Sequence, residues 1–305
     1  MNNLSADTIS SDSLNELYID ALTLLKELIA TPSLSREEHQ TADILENFLR
    51  DKKVEPKRFL NNVWAKGKHF KNNKPTLLLN SHHDTVKANP GYTLNPFDPI
   101  ERKGQLFGLG SNDAGGCLVS LLSTFLYFSE KDLPFNVIFA ASAEEEISGK
   151  NGMEALIPEL PKVDFAIVGE PTKLQMAIAE KGLMVLDCVS TGKAGHAARD
   201  EGINALYLAM DDIQWFRDFK FSKVSEFLGP VHMAVTSIET INKAHNMVPE
   251  TCSFVVDVRV NELYSFEEIL ETVRGNVKCT VSPRSLRLKP SGISPDHPLV
   301  LAGTA

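Results

Sequence analysis

The sequence predicts an α/β protein with a mostly parallel central sheet covered by helices, followed by a smaller α+β unit. Three observations carry this. The runs "TLLLNSH", "NVIFAASA" and "DFAIVGE" are short, apolar and bounded by Pro, Gly or charge, as expected of strands buried on both faces of a parallel sheet. The later runs "LMVLDCVST", "VHMAVTSIE" and "TCSFVVDVRV" alternate more, which suits an antiparallel sheet with one wet face. A length of 305 residues is enough for two domains with sizeable cores. The change of style falls near residue 175, so the second unit spans 176–288, ahead of a tail punctuated by Pro and Gly, "KPSGISPDHPLVLAGTA".

Helix starts follow from capping boxes, in which a Ser side chain and a Glu three residues later satisfy free backbone amides. Ser13 with Glu16 predicts a first helix with the apolar face Leu14, Leu17, Ala21, Leu24 and Leu25. Ser35 with Glu38 predicts a second, running to about Leu49. A third follows Asp113, a fourth carries Ala205 to Phe216, and Ser265 with Glu268 opens a fifth. No internal repeat or low-complexity segment interrupts this order.

Composition excludes several classes. The chain is 43% hydrophobic and 23% charged, ordinary for a globular protein. A formal net charge of -9 argues against nucleic acid as a partner, because phosphate binding needs a basic face. No window approaches the roughly 18 apolar residues of a membrane span. The best candidate, Leu118 to Phe128, is broken by Ser120, Ser123 and Thr124. The first 20 residues are polar and acidic, unlike a signal peptide. Cys117, Cys188, Cys252 and Cys279 show no CxxC spacing, so free buried thiols in a reducing cytoplasm are expected.

Four segments place imidazole or carboxylate groups where predicted strands end: "HHD" with His82, His83 and Asp84; "GLGSNDAGG" with Asp113; "SAEEEISG" with Glu144, Glu145 and Glu146; and "IVGEPT" with Glu170. Singly, each has a bland explanation. An HxD is usually a polar turn, a glutamate run a solvated face, and an Asp before a helix an N-cap. In an open α/β sheet, however, strand ends converge on one crevice. Carboxylates gathered there without cations would repel one another, whereas a divalent ion removes that problem. One His with several carboxylates matches the zinc ligand menu, and a shared carboxylate can bridge two ions.

These four segments, in this order, resemble the zinc-dependent amidohydrolase and exopeptidase family of acetylornithine deacetylase, succinyl-diaminopimelate desuccinylase and aminoacylase. The resemblance implies two zinc ions, for which cobalt can substitute. It implies His82, Asp113, Glu146 and Glu170 as metal ligands, with Asp113 bridging, and Asp84 as the residue that orients His82. It implies Glu145 as the base that takes a proton from water and returns it to the leaving amine. His83 then packs or hydrogen-bonds, and Glu144 has no assigned role. Residues 1–175 and 289–305 become the catalytic domain, and 176–288 a lid and dimerisation domain.

In that second domain "TGKAGHAAR" resembles the lid motif whose histidine, here His196, reaches the site of a partner subunit. "HNMVPE" resembles a lid segment whose asparagine, here Asn246, lies near the substrate, and "VDVRV" puts Arg259 on a strand. That arginine either grips a substrate carboxylate or pairs with an acid at the surface. A homodimer formed through the lid follows from the resemblance. So does an N-acyl amino acid substrate: N-acetylornithine or N-succinylornithine in arginine biosynthesis, with a desuccinylase of lysine biosynthesis or a di- or tripeptidase as alternatives. Relatives of this kind continue beyond the point matching Ala305, with a histidine that completes the second zinc site. His297 in "SPDHPLV" does not match it. Low activity of the chain alone, or a non-catalytic remnant, is therefore a further expectation. Ala114 in "DAGG", where many relatives carry a larger residue, is a departure of little consequence for metal binding.

Overall fold

The structure, a computed structural model, describes residues 10–199 and 201–304. The first nine residues, part of the polar and acidic stretch unlike a signal peptide, lie outside the described residues. The chain divides into two compact units, residues 1–174 and 175–305. Residues 289–305, expected with the first domain, fall in the second unit.

The first unit opens with α1 (Ser11–Ala30) and α2 (His39–Asp51). Strands β1 (Lys57–Phe59), β2 (Asn62–Lys66) and β3 (Thr76–His82) follow, then a hairpin of β4 (Ile100–Arg102) and β5 (Gln105–Phe107). Next come α3 (Cys117–Ser129), β6 (Asn136–Ser142), α4 (Met153–Leu156) and β7 (Phe165–Val168). The main sheet has the order β1-β2-β6-β3-β7. The three strands read from apolar runs are its parallel part, with β6 and β7 flanking β3. β1 and β2 extend it antiparallel, so the sheet is mixed. Alternate residues of β3 and β6 enter opposite cores. Leu79 and Phe139 pack with Leu24, Leu28, Leu45, Leu122 and Phe125 of α1, α2 and α3. Leu78 and Ile138 pack with Trp64, Leu156 and Leu160 on the other face. β7 departs from the expected double burial: Ala166, Ile167 and Val168 are exposed, and among the described residues β7 pairs only with β3, at the edge of the sheet.

Two of the expected caps are replaced. α1 begins earlier, at Ser11, and its cap is Ser10, whose hydroxyl accepts from the Ser13 N–H. α2 begins at His39 with no side-chain cap, and Ser35 has other work, described below.

The second unit contains β8 (Ala179–Glu180), β9 (Gly182–Thr191), β10 (Gly195–His196), α5 (Ala205–Asp218), β11 (His232–Glu239), β12 (Met247–Val248), β13 (Thr251–Val260), α6 (Phe266–Asn276), β14 (Thr280–Pro283), β15 (Ser291–Gly292) and α7 (Pro298–Thr304). Its four-stranded sheet is antiparallel, in the order β11-β13-β9-β14. The alternation read from the sequence maps onto burial: in β13, Cys252, Phe254, Val256 and Val258 are buried and the residues between them are not. These side chains pack with Phe216 of α5 and with Ile269 and Val273 of α6. β15 pairs with β8, which ties residues 291–292 to this unit. All four cysteines are free; Cys188 and Cys252 are buried, Cys117 and Cys279 half-buried. Among the described residues no helix is long and apolar enough to cross a membrane.

The capping box at α6 is present in full. Ser265 Oγ accepts from the Glu268 N–H, and Glu268 Oε2 accepts from the Ser265 N–H. Ser265→Ala should lower the stability of this unit by about 1 kcal/mol, read as a shift in urea midpoint at unchanged slope.

Candidate metal centre

β3 runs out at His82, and the loops after β6 and β7 end beside it, because these strands are parallel neighbours with aligned carboxyl ends. His82 is buried, and its two ring nitrogens have separate environments. Nδ1 lies 3.0 Å from the carbonyl oxygen of Asp84 and 3.4 Å from its carboxylate. Both partners only accept, so Nδ1 carries a hydrogen, and Nε2 points the other way, towards the carboxylates. Around Nε2 stand Asp113 Oδ1 at 3.3 Å, Glu170 Oε1 at 3.8 Å and Glu145 Oε2 at 3.9 Å.

His83 faces away from this cluster. Its Nε2–H donates to the Asn61 carbonyl at 2.9 Å, and Nδ1 lies 2.8 Å from Thr41 Oγ1. Complete burial pushes its pKa down to about 4, so it stays neutral. The histidine that meets the carboxylates is His82, as its place in HxD implied.

Asp84 is the junction of the framework. Ser35 Oγ donates to Oδ2 at 2.6 Å, the Glu145 N–H to Oδ1 at 3.0 Å, and the Glu146 N–H to Oδ2 at 3.2 Å. Burial raises its pKa, but the bonds from His82, Ser35 and Glu145 outweigh burial and hold it below the usual range. The serine read as a helix cap therefore anchors a buried carboxylate. Glu144, left without a role, closes the loop after the glutamates. It has φ of 53°, its Oε1 accepts from Asn151 Nδ2 at 2.8 Å, and its carbonyl accepts from the Gly149 N–H at 2.8 Å.

Asp113 sits in an irregular turn, residues 111–116, that leads into α3. Two glycines shape it. Gly110 has φ of 74°, where a side chain would be strained, and a Cβ there would lie 2.7 Å from Thr85 Cγ2. A Cβ on Gly115 would lie 2.5 Å from the Gly110 carbonyl oxygen, to which the Gly115 N–H donates. Glu170 is placed by the end of β7: the Gly169 N–H donates to the Asn80 carbonyl, and Ser81 Oγ donates to the Gly169 carbonyl.

The result is two overlapping sets of ligand atoms, His82–Glu145–Glu170 and His82–Asp113–Glu146, each mutually within 4.8 Å. The electrostatics are those of crowded acids. Burial raises the Glu170 pKa to about 7, opposed by His82 and helped by Glu145, Asp113 and Glu146. Burial and Asp113 likewise raise Glu146. Burial lowers the His82 pKa, but Asp84, Glu170 and Glu145 outweigh it and lift the value to about 9. One imidazole whose Nε2 is turned to several carboxylates fits a divalent cation, which would take the place of the Nε2 proton and return these acids to their charged forms.

The remaining expected site residues lie in the second unit. Pairing of β10 with β12 sets His196 opposite Met247, and the Ala197 N–H donates to the Asn246 carbonyl, so His196 and Asn246 are neighbours. His196 is exposed, and its Nδ1 accepts from the Ala198 N–H. Arg259 pairs with Asp257 through Nε at 2.8 Å and Nη2 at 3.1 Å.

Comparison with known proteins follows this division. Residues 178–281 match the model of a peptidase dimerisation domain, and residues 62–173 match peptidase family M28. The succinyl-diaminopimelate desuccinylase of Orientia tsutsugamushi (strain Ikeda) is 28% identical over 275 residues, 84% of this chain and 71% of that protein. The enzyme of the same name from Rickettsia bellii (strain OSU 85-389) is 27% identical over 278 residues, 84% and 70%. The solved structure of an M20 family metallo-carboxypeptidase from Sulfolobus solfataricus superposes with a TM-score of 0.70 at 19% identity, covering 92% of this chain and 81% of that one. The fold is that of the M20 peptidases. The segment similar to family M28 holds the acid cluster, and the segment similar to the dimerisation domain follows it.

Because the folded His83 pKa lies below its usual 6.5, its neutral form contributes stability that is present above about pH 6.5 and is lost as pH falls towards 4. In chelator, the wild type should lose up to about 3 kcal/mol more than His83→Gln between pH 7 and pH 4. Parallel stability curves for the two proteins would contradict a buried neutral imidazole.

Proposed function

We propose that the chain is a metal-dependent hydrolase of amide bonds, acting on an N-succinylated amino acid of the diaminopimelate type. The observation that carries the hydrolase reading is the doubled ligand set on His82: a buried imidazole whose Nε2 faces carboxylates from three loops. His82, Asp113, Glu146 and Glu170 would hold the metal, and zinc or cobalt suits this donor set. When bound, such ions act as Lewis acids on water and on the amide carbonyl. Glu145 is the remaining carboxylate. It is half exposed and reaches the cluster through Oε2. Oε2 takes the proton of the attacking water and delivers it to the departing amine nitrogen. Asp84 keeps the His82 Nδ1 hydrogen in place and holds the Glu145 and Glu146 backbone, so it acts on the reaction through others.

The substrate reading rests on the relatives. The two curated proteins described above are desuccinylases of succinyl-diaminopimelate, and neither is an ornithine deacylase. They move the expected substrate from acylated ornithine in arginine biosynthesis to a succinylated diamino acid. Residues 1–175 then form the catalytic domain, and residues matching the dimerisation domain join two copies of the chain. His196 and Asn246 are the candidates for substrate contact there; Arg259 is engaged by Asp257.

Protein loaded with zinc or cobalt, given N-succinyl-diaminopimelate, N-acetylornithine, N-succinylornithine and a tripeptide in parallel, should show its highest kcat/KM with the first. Release of ornithine alone would reassign the substrate, and no hydrolysis of any of the four would defeat the enzyme reading. Glu145→Gln should lower kcat by about 10²–10⁴-fold while leaving the metal content, measured by elemental analysis, unchanged.

A further inference from the structure

Beyond the end of β6, four consecutive backbone N–H groups donate to buried side-chain oxygens. The Ala143 N–H donates to Asn62 Oδ1 at 2.9 Å, and the Glu144 N–H to Glu38 Oε1 at 3.1 Å. The Glu145 and Glu146 N–H groups donate to the two oxygens of Asp84. The segment that supplies a metal ligand and a base is thus suspended, amide by amide, from three residues of other elements. Asn62 and Glu38 are each 0% exposed. Asn62 is itself fixed, because its Nδ2 donates to the Phe59 and Asn151 carbonyls.

Glu38 is the unexpected member. Packing alone does not select a fully buried carboxyl beside two more acids, Asp84 and Glu144, since burial of an unpaired acid is costly. Its Oε2 has no hydrogen-bond partner among the described residues. The one bond its side chain makes to the site is the one to Glu144. A carboxamide here would keep that bond, whereas an aliphatic side chain would leave the Glu144 N–H buried without an acceptor.

We propose that Glu38 is a positioning residue of the metal centre, whose Oε1 holds the Glu144 N–H and thereby sets where the Glu145 and Glu146 side chains stand. The inference rests on the metal-dependent reading of the site. Small displacements matter here, because ligand and base must meet fixed partners within a fraction of an ångström.

Two readouts test it. In the metal-free protein, hydrogen exchange of the segment 143–148 should be faster by about tenfold in Glu38→Ala, and within about threefold of wild type in Glu38→Gln, with β13 unchanged in both. In cobalt titrations, Glu38→Ala should bind about 10–100-fold more weakly with an altered visible absorption spectrum, and Glu38→Gln should match wild type. Should Glu38→Ala fail to fold, Glu38→Met fills the space without an acceptor and is expected to show the same losses. Wild-type exchange and an unchanged cobalt spectrum in Glu38→Ala or Glu38→Met would overturn the proposal, as would equal damage in Glu38→Gln. A wild-type protein that binds no cobalt would refute the metal reading, while the exchange comparison still decides the role of Glu38.

Discussion

Repulsion among carboxylates is the constraint on which the first unit depends. Asp113, Glu145, Glu146 and Glu170 are brought to the face of one buried imidazole by three separate loops, and unscreened acids at such distances resist sharing a site. The fold imposes this arrangement through parallel pairing. β6, β3 and β7 end side by side, so whatever follows each strand is delivered to the same place. What keeps the acids there is a buried polar framework. Asp84 links Ser35, His82 and the backbone of the Glu145–Glu146 pair, and Glu38 and Asn62 hold the residues just before it.

That framework separates the two adjacent histidines. His83 is pinned between Thr41 and Asn61 and stays neutral, whereas His82 turns its Nε2 to the acids. The same strand end therefore supplies a structural imidazole and a ligand imidazole, distinguished by the direction of one residue in a β-strand, where successive side chains point to opposite faces.

The parallel core strands and the acid cluster were legible in the sequence because apolar runs ending in His, Asp or Glu report both the burial of a strand and the chemistry at its end. The alternating strands of the second unit were legible for the same reason, and Ser265 with Glu268 was a true capping box. The same spacing misled elsewhere. Ser35 and Glu38 have the form of a capping box, but both side chains turn inward, one to Asp84 and one to Glu144. Local spacing cannot distinguish a cap from a tertiary partner far along the chain. β2, with its buried Asn62, was missed because "NVWAK" is short and its place inside the sheet, between β1 and β6, depends on β6, distant in sequence. The exposure of β7 was likewise invisible, since a strand's place at a sheet edge is set by pairing rather than by its own residues.

Anomalous scattering from crystals grown with zinc tests the central claim most directly. The account predicts metal peaks bounded by His82 Nε2 and the carboxylates of Asp113, Glu146 and Glu170, with none at His83. Crystals containing zinc whose peaks lie elsewhere, with His82 and these acids paired only to protein groups, would contradict it.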